Sequence, residues 1–410
     1  MKVYEVGGSV RDSLLGLPNA DRDWVVVGAT AGQLEADGYR QVGRDFPVFL
    51  HPQTGEEYAL ARTERKVGPG YKGFAVHADV SVTLEQDLQR RDLTINAIAK
   101  DRDGRIIDPY GGQQDIEGRR LRHVSAAFTE DPLRVLRVAR FAARLAPLGF
   151  KVADETAELI EEIVANGELE ALQPERIWQE TAKALVTETP AVFFETLKTS
   201  GALAAVFPEI ARLWGVPQPP RWHPEIDTGV HTMLALAQSV ELSDDPTVRF
   251  AVLVHDLGKG TTPAEIWPSH RGHEGRSVEL IRALCARLRI PKRFESLALN
   301  VAAEHGRMHR IQAMRPEKLH DLIVRIGGLR DADTLERFVL ACESDARGRT
   351  GLETQPYPQA EFLRGMRAAA AAIGSDAVPP QTPPGPAFGE ALRQLRINAI
   401  AERKSLLAEQ

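Results

Sequence analysis

The sequence predicts an α+β chain, in which a small head of mixed sheet and helices is followed by helical domains only. Three observations support this prediction. Short β-rich runs alternate with turns over residues 1–62, apolar residues follow a helical period from about residue 84, and two proline-rich stretches interrupt the helical part. A length of 410 residues allows two to four domains with cores of their own.

The predicted sheet of the head rests on four short runs rich in β-branched and aromatic residues and bounded by Gly, Pro or Asp. These runs are residues 2–6, 24–28, 46–50 and 57–61. Between the first two, Val10, Leu14 and Leu15 follow a helical period, and Gly16 predicts the end of that helix. Residues 65–82 are rich in glycine, which predicts a mobile loop.

Amphipathic helices are predicted to follow one another after residue 84 over short connections. The clearest of them cover residues 92–100, 131–145, 153–167 and 174–186. Pro132 and Pro174 fall in predicted first turns, where proline is tolerated. Trp178 lies at helical spacing and is expected in the core rather than on a stacking surface.

Two proline-rich stretches indicate domain limits. Residues 214–226 contain four prolines and are the best candidate for a linker, and residues 376–389 form a second break before a final helix. Most of the histidines lie between these stretches. The expected parts are a head (1–112), a helical neck and body (113–220), a histidine-rich helical domain (221–350) and a C-terminal helical tail (351–410).

The composition, with 43% hydrophobic and 26% charged residues, is typical of soluble globular proteins. All apolar runs are far shorter than the roughly 18 residues of a membrane helix, and the N-terminus reaches glycine and charge too early for a signal peptide. Cys285 and Cys342 are too few for a disulfide framework or a thiolate metal site. We expect a cytoplasmic monomer or homodimer without membrane contact.

Arginine is concentrated locally although the net charge of the chain is −6. The concentrations are residues 89–93, 117–123 and 134–144. Basic patches on an acidic chain predict a focused phosphate-binding surface, and solvated helix faces are the alternative.

The third concentration belongs to a predicted amphipathic helix. Arg134, Arg137 and Arg140 fall within about a third of its circumference. The opposite arc is apolar and consists of Val135, Val138, Ala139 and Ala142. Three guanidinium groups on one face need an anion or carboxylate partners, so a salt-bridged surface helix is the alternative to an anion site.

Asp21 and Asp23 stand one residue apart where the second predicted strand begins. Residues i and i+2 of a strand point to the same face, so the two carboxylates would repel each other unless a cation lies between them. Oxygen ligands favour Mg²⁺, which can activate an attacking hydroxyl group and neutralise a leaving pyrophosphate. The alternative is a solvated turn at the start of a strand.

Gly7 and Gly8 separate the first predicted strand from a helix that starts near Ser9. Glycine allows the backbone to approach a phosphate, and a helix N-terminus directs amide N–H groups at it. Arg11 lies in the first turn, where its charge is unfavourable to the helix dipole and a bound anion would explain it. A glycine turn followed by Asp-x-Asp on the next strand indicates a nucleotidyl-transfer site.

The stretch "GGSVRDSLLG…DRDWVVVG" resembles the signature of the DNA polymerase beta-like nucleotidyltransferase superfamily. More narrowly, it is similar to class II tRNA nucleotidyltransferases, which are the CCA-adding enzymes and their relatives the bacterial poly(A) polymerases. Three further motifs of that family follow in family order: "RRDLTINAIA" (90–99), "DPYGG" (108–112) and "EDPLRVLRVARFAAR" (130–144).

The resemblance implies a polymerase-beta-like head that adds CMP, CMP and AMP from CTP and ATP to the 3′ end of tRNA and releases pyrophosphate. Asp21 and Asp23 would be catalytic and bind Mg²⁺, and Asp131 and Arg134 would offer hydrogen bonds to the incoming base. The other implied nucleotide-binding residues are Gly8, Arg11, Arg91, Asp92, Arg137 and Arg140.

For two further features of the family, the motifs do not identify the individual residues in this sequence. The third acidic ligand stays open among Glu56, Glu57 and Glu64, and residues 62–73 correspond to a flexible stretch that the family uses when it switches from C to A addition. The neck and body would hold the acceptor arm of tRNA by shape and phosphate contacts.

His255 and Asp256 end an apolar helix in the second half of the chain. Two adjacent buried polar groups are costly unless they are satisfied, and metal coordination would satisfy both. With His231 before them and Asp345 after them, they resemble the HD phosphohydrolase superfamily, in which a metal-activated water attacks a phosphoester. His273 and His305 are further candidate ligands; an HD fold retained only for structure is the alternative.

Class II CCA-adding enzymes of one bacterial group carry such a domain. There it is linked to 2′,3′-cyclic phosphodiesterase, 2′-nucleotidase and phosphatase activities, the last favoured by Ni²⁺. Two other functions stay open: a bacterial poly(A) polymerase, and an HD phosphohydrolase whose head only senses nucleotides.

Overall fold

A seven-stranded mixed sheet forms the head of the first of two compact units, which comprise Met1–Val206 and Phe207–Gln410. The computed structural model describes residues 1–18, 22–42, 48–66, 74–77 and 79–408. The strands of the sheet are β1 (Lys2–Val6), β2 (Asp23–Val27), β3 (Arg40–Val42), β4 (Val48–Leu50), β5 (Glu57–Leu60), β8 (Ala99–Lys100) and β9 (Ile106–Ile107). Two further pairs lie outside it: β6 (Thr63–Lys66) with β7 (Phe74–His77), and β10 (Arg120–Leu121) with β11 (Lys151–Val152).

The sheet order is β3-β4-β5-β2-β1-β8-β9, with β2 and β5 parallel and the other neighbouring pairs antiparallel. Alternate residues of β1 and β2 enter two separate cores. Val6 and Val25 belong to one of them, and Val3 and Val26 belong to the other. Because both faces are covered, the central strands are apolar on both sides, as their sequences suggest.

Nine helices complete the first unit as far as it is described. They are α1 (Gly8–Leu14), α2 (Ala31–Ala36), α3 (Leu84–Gln89), α4 (Gly112–Glu117), α5 (Leu133–Leu145), α6 (Asp154–Ala165), α7 (Pro174–Leu185), α8 (Pro190–Thr199) and α9 (Ala202–Val206). Helix α5 packs against α7 and α8. Pro174 is the first residue of α7, as predicted, and Trp178 is buried in the core.

Two local predictions were wrong. Residues 63–66 and 74–77 pair as antiparallel strands, so the glycine-rich stretch is not an irregular loop throughout. Residues 92–100 do not form one helix: Thr94–Asn96 make a single 3₁₀ turn and Ala99–Lys100 join the sheet beside β1. Tertiary pairing with β1 therefore overrides the local helical period.

The described second unit is helical. Its helices are α10 (Pro208–Ala211), α11 (Thr228–Leu242), α12 (Pro246–Val254), α13 (His273–Leu288), α14 (Lys292–Met308), α15 (Pro316–Arg325), α16 (Ala332–Arg347), α17 (Pro358–Ala371) and α18 (Pro386–Ala408). Helix α12, buried along most of its length, packs against α11, α14 and α16. Among the described residues, every helix is too short or too polar to cross a membrane.

The proline-rich stretch 214–226 belongs to the second unit and is held there by specific contacts. Pro217 forms an isolated β-bridge with Asp227, and the Asp227 side chain caps α11 by accepting the Val230 N–H at 2.9 Å. This stretch was expected to be a linker, and instead it precedes α11 as an ordered part of the unit.

Candidate functional site

A cavity of about 470 Å³ lies in the first unit between the β1–α1 turn, the end of α3, and helices α5 and α7. Its wall is dominated by guanidinium groups. The arginines that line it are Arg11, Arg62, Arg90, Arg91, Arg134, Arg137, Arg140, Arg144 and Arg176. Such a concentration of fixed cations in a concave site favours a polyanion such as a triphosphate.

The β1–α1 turn requires glycine at its first position. Gly7 has a φ of 77°, and a Cβ there would lie 2.8 Å from an Nη atom of Arg91. Gly7 therefore lets Arg91 lie close to the backbone, where its Nη1 donates to the Asn96 carbonyl at 3.4 Å. Gly8 begins α1 and also lines the cavity.

Arg11 is fully buried, and burial lowers its pKa. Its guanidinium donates to Asp12 Oδ1 at 2.7 and 2.9 Å and to Asn96 Oδ1 at 2.5 Å. The other oxygen of Asp12 accepts from Arg144 at 2.7 Å. The charge of Arg11 in α1, for which a bound anion was the expected explanation, is thus already balanced by the neighbouring carboxylate.

Asp92 follows the end of helix α3 and lines the cavity with its neighbours Arg90 and Arg91. A capping box between Thr83 and Gln86 fixes the start of this helix. Asp92 accepts from Arg137 Nε at 2.8 Å and from Asn96 Nδ2 at 2.9 Å. Burial alone would raise the pKa of Asp92, but Arg137 and these hydrogen bonds hold it well below its ordinary value. The Asp92 carboxylate in turn raises the pKa of Arg137.

The predicted base-reading residues Asp131 and Arg134 both line the cavity, and each is bound to another group. Asp131 accepts two hydrogen bonds from Arg176, at 2.8 and 3.3 Å. Arg134 donates to the main-chain carbonyls of Ala127 and Arg90 at 2.6 and 2.5 Å. Arg176 was not predicted as a site residue, although it lies in the first turn of α7, two residues before Trp178.

The arginine face of α5 is confirmed. Arg134, Arg137 and Arg140 line the cavity, and the opposite arc is buried in the core. Arg140 Nε donates to Glu180 Oε2 at 2.5 Å, and Arg137 lies 3.9 Å from Oε1 of the same carboxylate. Carboxylate partners thus orient this face, while the cavity itself stays rich in arginine.

Asp23 is exposed at the start of β2 and lines the cavity. In the parallel register its partner on β5 is Glu57, so these two side chains leave the sheet on the same side. Glu56 instead accepts the Thr54 hydroxyl at 3.0 Å in a turn. Asp21 and the side chain of Glu64 lie outside the described part of the chain.

A second candidate site lies in the second unit, where four imidazoles share one orientation. In each, Nδ1 faces a main-chain carbonyl and Nε2 points towards a common centre. The Nδ1 pairs are His231 with Gly348 at 3.0 Å, His255 with Val252 at 2.7 Å, His273 with His270 at 3.1 Å and His305 with Val301 at 3.0 Å. A carbonyl at Nδ1 fixes the proton there and leaves Nε2 free as a metal ligand.

Asp256 and Asp345 complete this centre. Asp345 Oδ1 lies 3.0 Å from His231 Nε2 and 3.6 Å from His255 Nε2. Asp256 Oδ2 lies 3.1 Å from His255 Nε2, whereas its Oδ1 lies 3.2 Å from His273 Nε2 and 3.6 Å from His305 Nε2. All six predicted HD residues are therefore brought together, and Asp256 stands between two groups of ligands.

The donor set fits a divalent cation. Within the described residues, His255 Nε2 and Asp256 Oδ1 are buried without a hydrogen-bond partner. Burial opposes a charge on His255, but Asp256 and Asp345 raise its pKa to about 10, while His255 and other cations hold the pKa of both carboxylates well below their usual range. The carboxylates thus favour a positive charge at the centre, and a bound metal ion would replace the proton on His255.

Two side chains at this centre were not predicted. Lys259 Nζ lies 2.6 Å from Asp256 Oδ2 and donates to Gln218 Oε1 at 2.5 Å. His309 Nε2 lies 2.7 Å from Asp345 Oδ2, and its Nδ1 lies 3.1 Å from the Tyr357 hydroxyl. Their spacing in the sequence could have indicated both residues. Lys259 follows the His-Asp pair by one helical turn, and His309 follows His305 by one turn.

Three protein families match the chain. Residues 3–122 match the poly A polymerase head domain, and residues 149–213 match a family described as the probable RNA and SrmB-binding site of polymerase A. Residues 228–337 match the HD domain. Both catalytic domain types that were predicted are confirmed, and both types of domain depend on divalent metal.

Curated relatives match over nearly the whole chain. The multifunctional CCA protein of Thioalkalivibrio sulfidiphilus is 59% identical over 405 residues, which cover 99% of this chain and 99% of the relative. The multifunctional CCA protein of Methylococcus capsulatus is 60% identical over 401 residues, 98% of this chain and 94% of the relative.

Solved structures share the fold. A CCA-adding enzyme in an apo form aligns with a TM-score of 0.65 at 20% identity and covers 100% of this chain and 92% of its own. A CCA-adding enzyme in complex with CTP gives a TM-score of 0.64 at 20% identity, covering 100% and 91%. The Thermotoga maritima CCA-adding enzyme complexed with tRNA gives 0.62 at 20% identity, covering 99% and 91%. These similarities confirm the predicted fold class.

Proposed function

The chain belongs to the family of multifunctional CCA proteins, and on this premise we propose that its two sites catalyse separate reactions at the 3′ end of tRNA. The head is a template-independent tRNA nucleotidyltransferase, which adds and repairs the terminal CCA from CTP and ATP and releases pyrophosphate. The HD domain is a metal-dependent phosphohydrolase.

The arginine-lined cavity is the observation that carries the first reaction. A nucleoside triphosphate brings several negative charges, and nine arginines line the space beside Asp23. Guanidinium groups bind phosphates bidentately, which fixes orientation as well as position. In this proposal Gly8, Arg11, Arg91, Arg137 and Arg140 hold the nucleotide, while Asp92 orients Arg137.

Asp21 and Asp23 are proposed as the Mg²⁺ ligands of the head. The exposed carboxylate of Asp23 at the edge of the cavity supplies the hard oxygen donors that this ion prefers. When bound, Mg²⁺ activates the 3′-hydroxyl group of tRNA and neutralises the leaving pyrophosphate. Glu57, next to Asp23 on the neighbouring strand, is the third carboxylate that we favour.

Base selection is assigned to Asp131 and Arg134. Cytosine and adenine each present an exocyclic amino group, for which the carboxylate of Asp131 is an acceptor. Guanine and uracil present a carbonyl at the corresponding position, which would leave this half-buried carboxylate opposed by another acceptor. Arg176 and the carbonyls of Ala127 and Arg90 hold the two side chains in place before a nucleotide arrives.

The HD centre is proposed to bind a divalent transition metal, with Ni²⁺ as the candidate. His255 forms one ligand cluster with His231 and Asp256 and another with His305 and Asp345. Asp256 also forms a cluster with His273 and His305. Imidazole ligands favour such metals over Mg²⁺. When bound, the metal lowers the pKa of a water that attacks a phosphoester, as in 2′,3′-cyclic phosphate, 2′-phosphate and phosphate monoester hydrolysis.

The domain limits and the location follow from the same reading. We divide the chain into a head (1–112), a neck and body (113–220), an HD domain (221–350) and a tail (351–410). The three family matches follow the same order, although the boundary between the two compact units lies earlier, after Val206. We place the protein in the cytoplasm because its substrates tRNA, CTP and ATP are found there.

Incorporation of labelled CTP and ATP into a tRNA that ends at the discriminator base tests the proposal. With Mg²⁺ we expect three added nucleotides in the order C, C, A. Asp23→Asn should slow incorporation by about 10²–10³-fold, the scale expected for loss of one fixed charged group at a reacting centre. Asp103→Asn, which changes an exposed aspartate in the same head, is the matched control.

Two other results would contradict this function. Long A tails would identify a poly(A) polymerase. Absence of incorporation by a protein that still hydrolyses 2′,3′-cyclic AMP would identify an HD phosphohydrolase with a nucleotide-sensing head.

A further inference from the structure

The stretch that precedes α11 brings a buried carboxylate to the back of the HD centre. Glu225 Oε1 lies 3.0 Å from Nδ1 of His231, on the side of the imidazole opposite to Asp345. The Glu225 side chain is only 2% exposed, although the residues on both sides of it are exposed. A buried carboxylate is costly unless it is needed and well partnered.

The backbone at this point is unusual. Ile226 has a φ of 62°, in the left-handed region that β-branched residues rarely adopt, and its side chain is exposed. A hydrogen bond of 2.9 Å from the Ile226 N–H to the His223 carbonyl closes the turn. Another of 2.7 Å from the Gln218 N–H to the Ile226 carbonyl ties it to the start of the stretch. This strained turn directs Glu225 inward, and such strain concentrates at functional positions.

The contacts of His231 determine its tautomer. Its Nδ1 lies 3.0 Å from both the Gly348 carbonyl and Glu225 Oε1, two groups that only accept hydrogen bonds. The proton must therefore be on Nδ1, and this nitrogen cannot bind an ion. Nε2 faces Asp345 Oδ1 at 3.0 Å, and because a carboxylate also only accepts, a metal ion bound at the centre would take the place of a proton on Nε2. At Nδ1, His255 and His305 each face a single main-chain carbonyl. His231 faces a carbonyl and, in addition, the negatively charged carboxylate of Glu225.

We propose that Glu225 is a positioning residue of the HD centre, which holds the Nδ1–H of His231 so that its Nε2 is presented to the metal ion as a strong ligand. This inference rests on the proposed metal site. A carboxylate that receives the distal N–H of a ligating histidine fixes the ring orientation and raises the basicity of the ligating nitrogen. Glu225 would thus act on the reaction through His231 without touching the substrate.

A purely structural role for Glu225 must be separated from this one. The carboxylate also lies 3.1 Å from His223 Nδ1 and accepts the Thr350 N–H at 3.4 Å, so it attaches the stretch to the residues that follow α16. Loss of that attachment alone would change stability and leave the metal affinity unchanged. Metal affinity and the spectrum of the bound metal therefore decide between the two roles.

The experiment uses the full-length protein stripped of metal and titrated with Co²⁺, whose d–d absorption reports the ligand geometry. His255→Ala defines the signal that belongs to the HD centre. We expect Glu225→Ala to weaken Co²⁺ binding at this centre by about 10–100-fold and to shift the absorption band. Glu225→Gln keeps an oxygen acceptor for the His231 N–H and should lose less affinity than Glu225→Ala.

The matched control is Glu343→Gln, which changes another largely buried carboxylate of the same unit that pairs with Arg347 instead of a histidine. Circular dichroism and thermal unfolding of every variant report whether the second unit is folded, and CCA addition reports whether the head is folded. A Glu225→Ala protein that binds Co²⁺ within twofold of the parent, or a Glu225→Gln protein weaker than Glu225→Ala, would overturn the positioning role. If the parent protein and the His255→Ala protein bind Co²⁺ equally, the proposed metal site itself is rejected.

Discussion

At the scale of single residues, the charged side chains of the head cavity are paired with one another before any ligand binds. Asp92 is buried and receives hydrogen bonds from Arg137, from Asn96 and from the Leu93 N–H. Each of these donors favours the ionised carboxylate and offsets the cost of burying it. The ion pair between Asp92 and Arg137 holds the arginine at the cavity. We therefore expect Asp92 to support nucleotide binding by orienting Arg137, in addition to any direct contact with the nucleotide.

We predict that Asp92→Asn lowers the stability of the head by about 2 kcal/mol at pH 7, the scale of hydrogen bonds to charged groups. The pKa of Asp92 in the folded protein lies below the ordinary value of 3.8. Its contribution to stability is therefore complete above that value and is lost as the pH falls through the window below it. The difference between parent and variant should be constant from pH 7 to about pH 5 and shrink below pH 4. Urea unfolding between pH 3 and pH 8 measures it.

Asp103→Asn provides the comparison for this titration, because Asp103 is exposed in the β8–β9 turn. Its stability should follow that of the parent at every pH. If the Asp92→Asn protein does the same, the pairing with Arg137 contributes nothing to the fold and the electrostatic account of this side of the cavity is wrong.

Which residues lie at the two sites could be predicted from the sequence, but the side chains that they pair with could not. His255 and Asp256 were singled out because an adjacent His-Asp pair on an apolar helix is costly without a metal, whereas His231 and Asp345 followed from the resemblance to the HD superfamily. Arg176 and Glu180 escaped because they stand on α7, about 45 and 40 residues from the Asp131 and Arg140 that they bind. Periodicity describes one helix at a time, and a contact between two helices leaves no local pattern in either.

At the scale of elements, the four predicted strands of the head were confirmed, whereas β3, β8 and β9 were missed and the helical period over residues 92–100 was misleading. Helix α5 has the arginine face and the apolar arc that its sequence indicates. The strands β8 and β9 have two residues each, too few for an alternating pattern. They form because β1 offers an edge to β8, which in turn pairs with β9. The same reasoning explains why β3 was missed, since its three residues gain their partner only from β4.

The packing of α16 on α11 leads to a prediction about Gly348. A Cβ at this position would lie 2.3 Å from Cα of Ala235, and the Gly348 carbonyl faces His231 Nδ1. Gly348→Ala should therefore push the end of α16, with Asp345, away from α11. We expect a loss of about 1–3 kcal/mol of stability, as for overpacked cores, and weaker Co²⁺ binding at the HD centre. Thermal unfolding and Co²⁺ titration of the full-length protein measure the two effects.

Gly389→Ala is the matched glycine substitution in the same unit. Gly389 lies within α18 with no heavy atom within 4 Å of an added Cβ, so alanine there should stabilise by up to about 1 kcal/mol through helix propensity. Equal stability of the Gly348→Ala protein and the parent would show that α16 can shift freely on α11, contrary to the close packing.

At the scale of the whole molecule, one chain with a net charge of −6 carries two sites of different chemistry. The head concentrates arginine around a cavity for a polyanion, whereas the second unit concentrates imidazole and carboxylate around a centre for a cation. Both sites are proposed to act on phosphate groups, and each lies within its own compact unit. This arrangement suits two consecutive reactions on one RNA end.

The order of those reactions follows from what each site needs. Nucleotidyl transfer requires a free 3′-hydroxyl group as nucleophile, and a 2′,3′-cyclic phosphate at the end of a damaged tRNA provides none. Hydrolysis at the HD centre adds water across the cyclic ester and leaves a monoester at the 2′ or the 3′ oxygen. Hydrolysis of that monoester leaves both hydroxyl groups free, including the 3′-hydroxyl that the head extends. We therefore predict that a protein with His255→Ala and Asp256→Ala extends tRNA with a free 3′-hydroxyl group at the parental rate but incorporates no label into tRNA with a cyclic phosphate end. Enzymatic removal of the phosphate beforehand should restore incorporation by this variant. If the variant repairs the cyclic end as well as the parent does, the two sites act independently and the HD centre has another substrate.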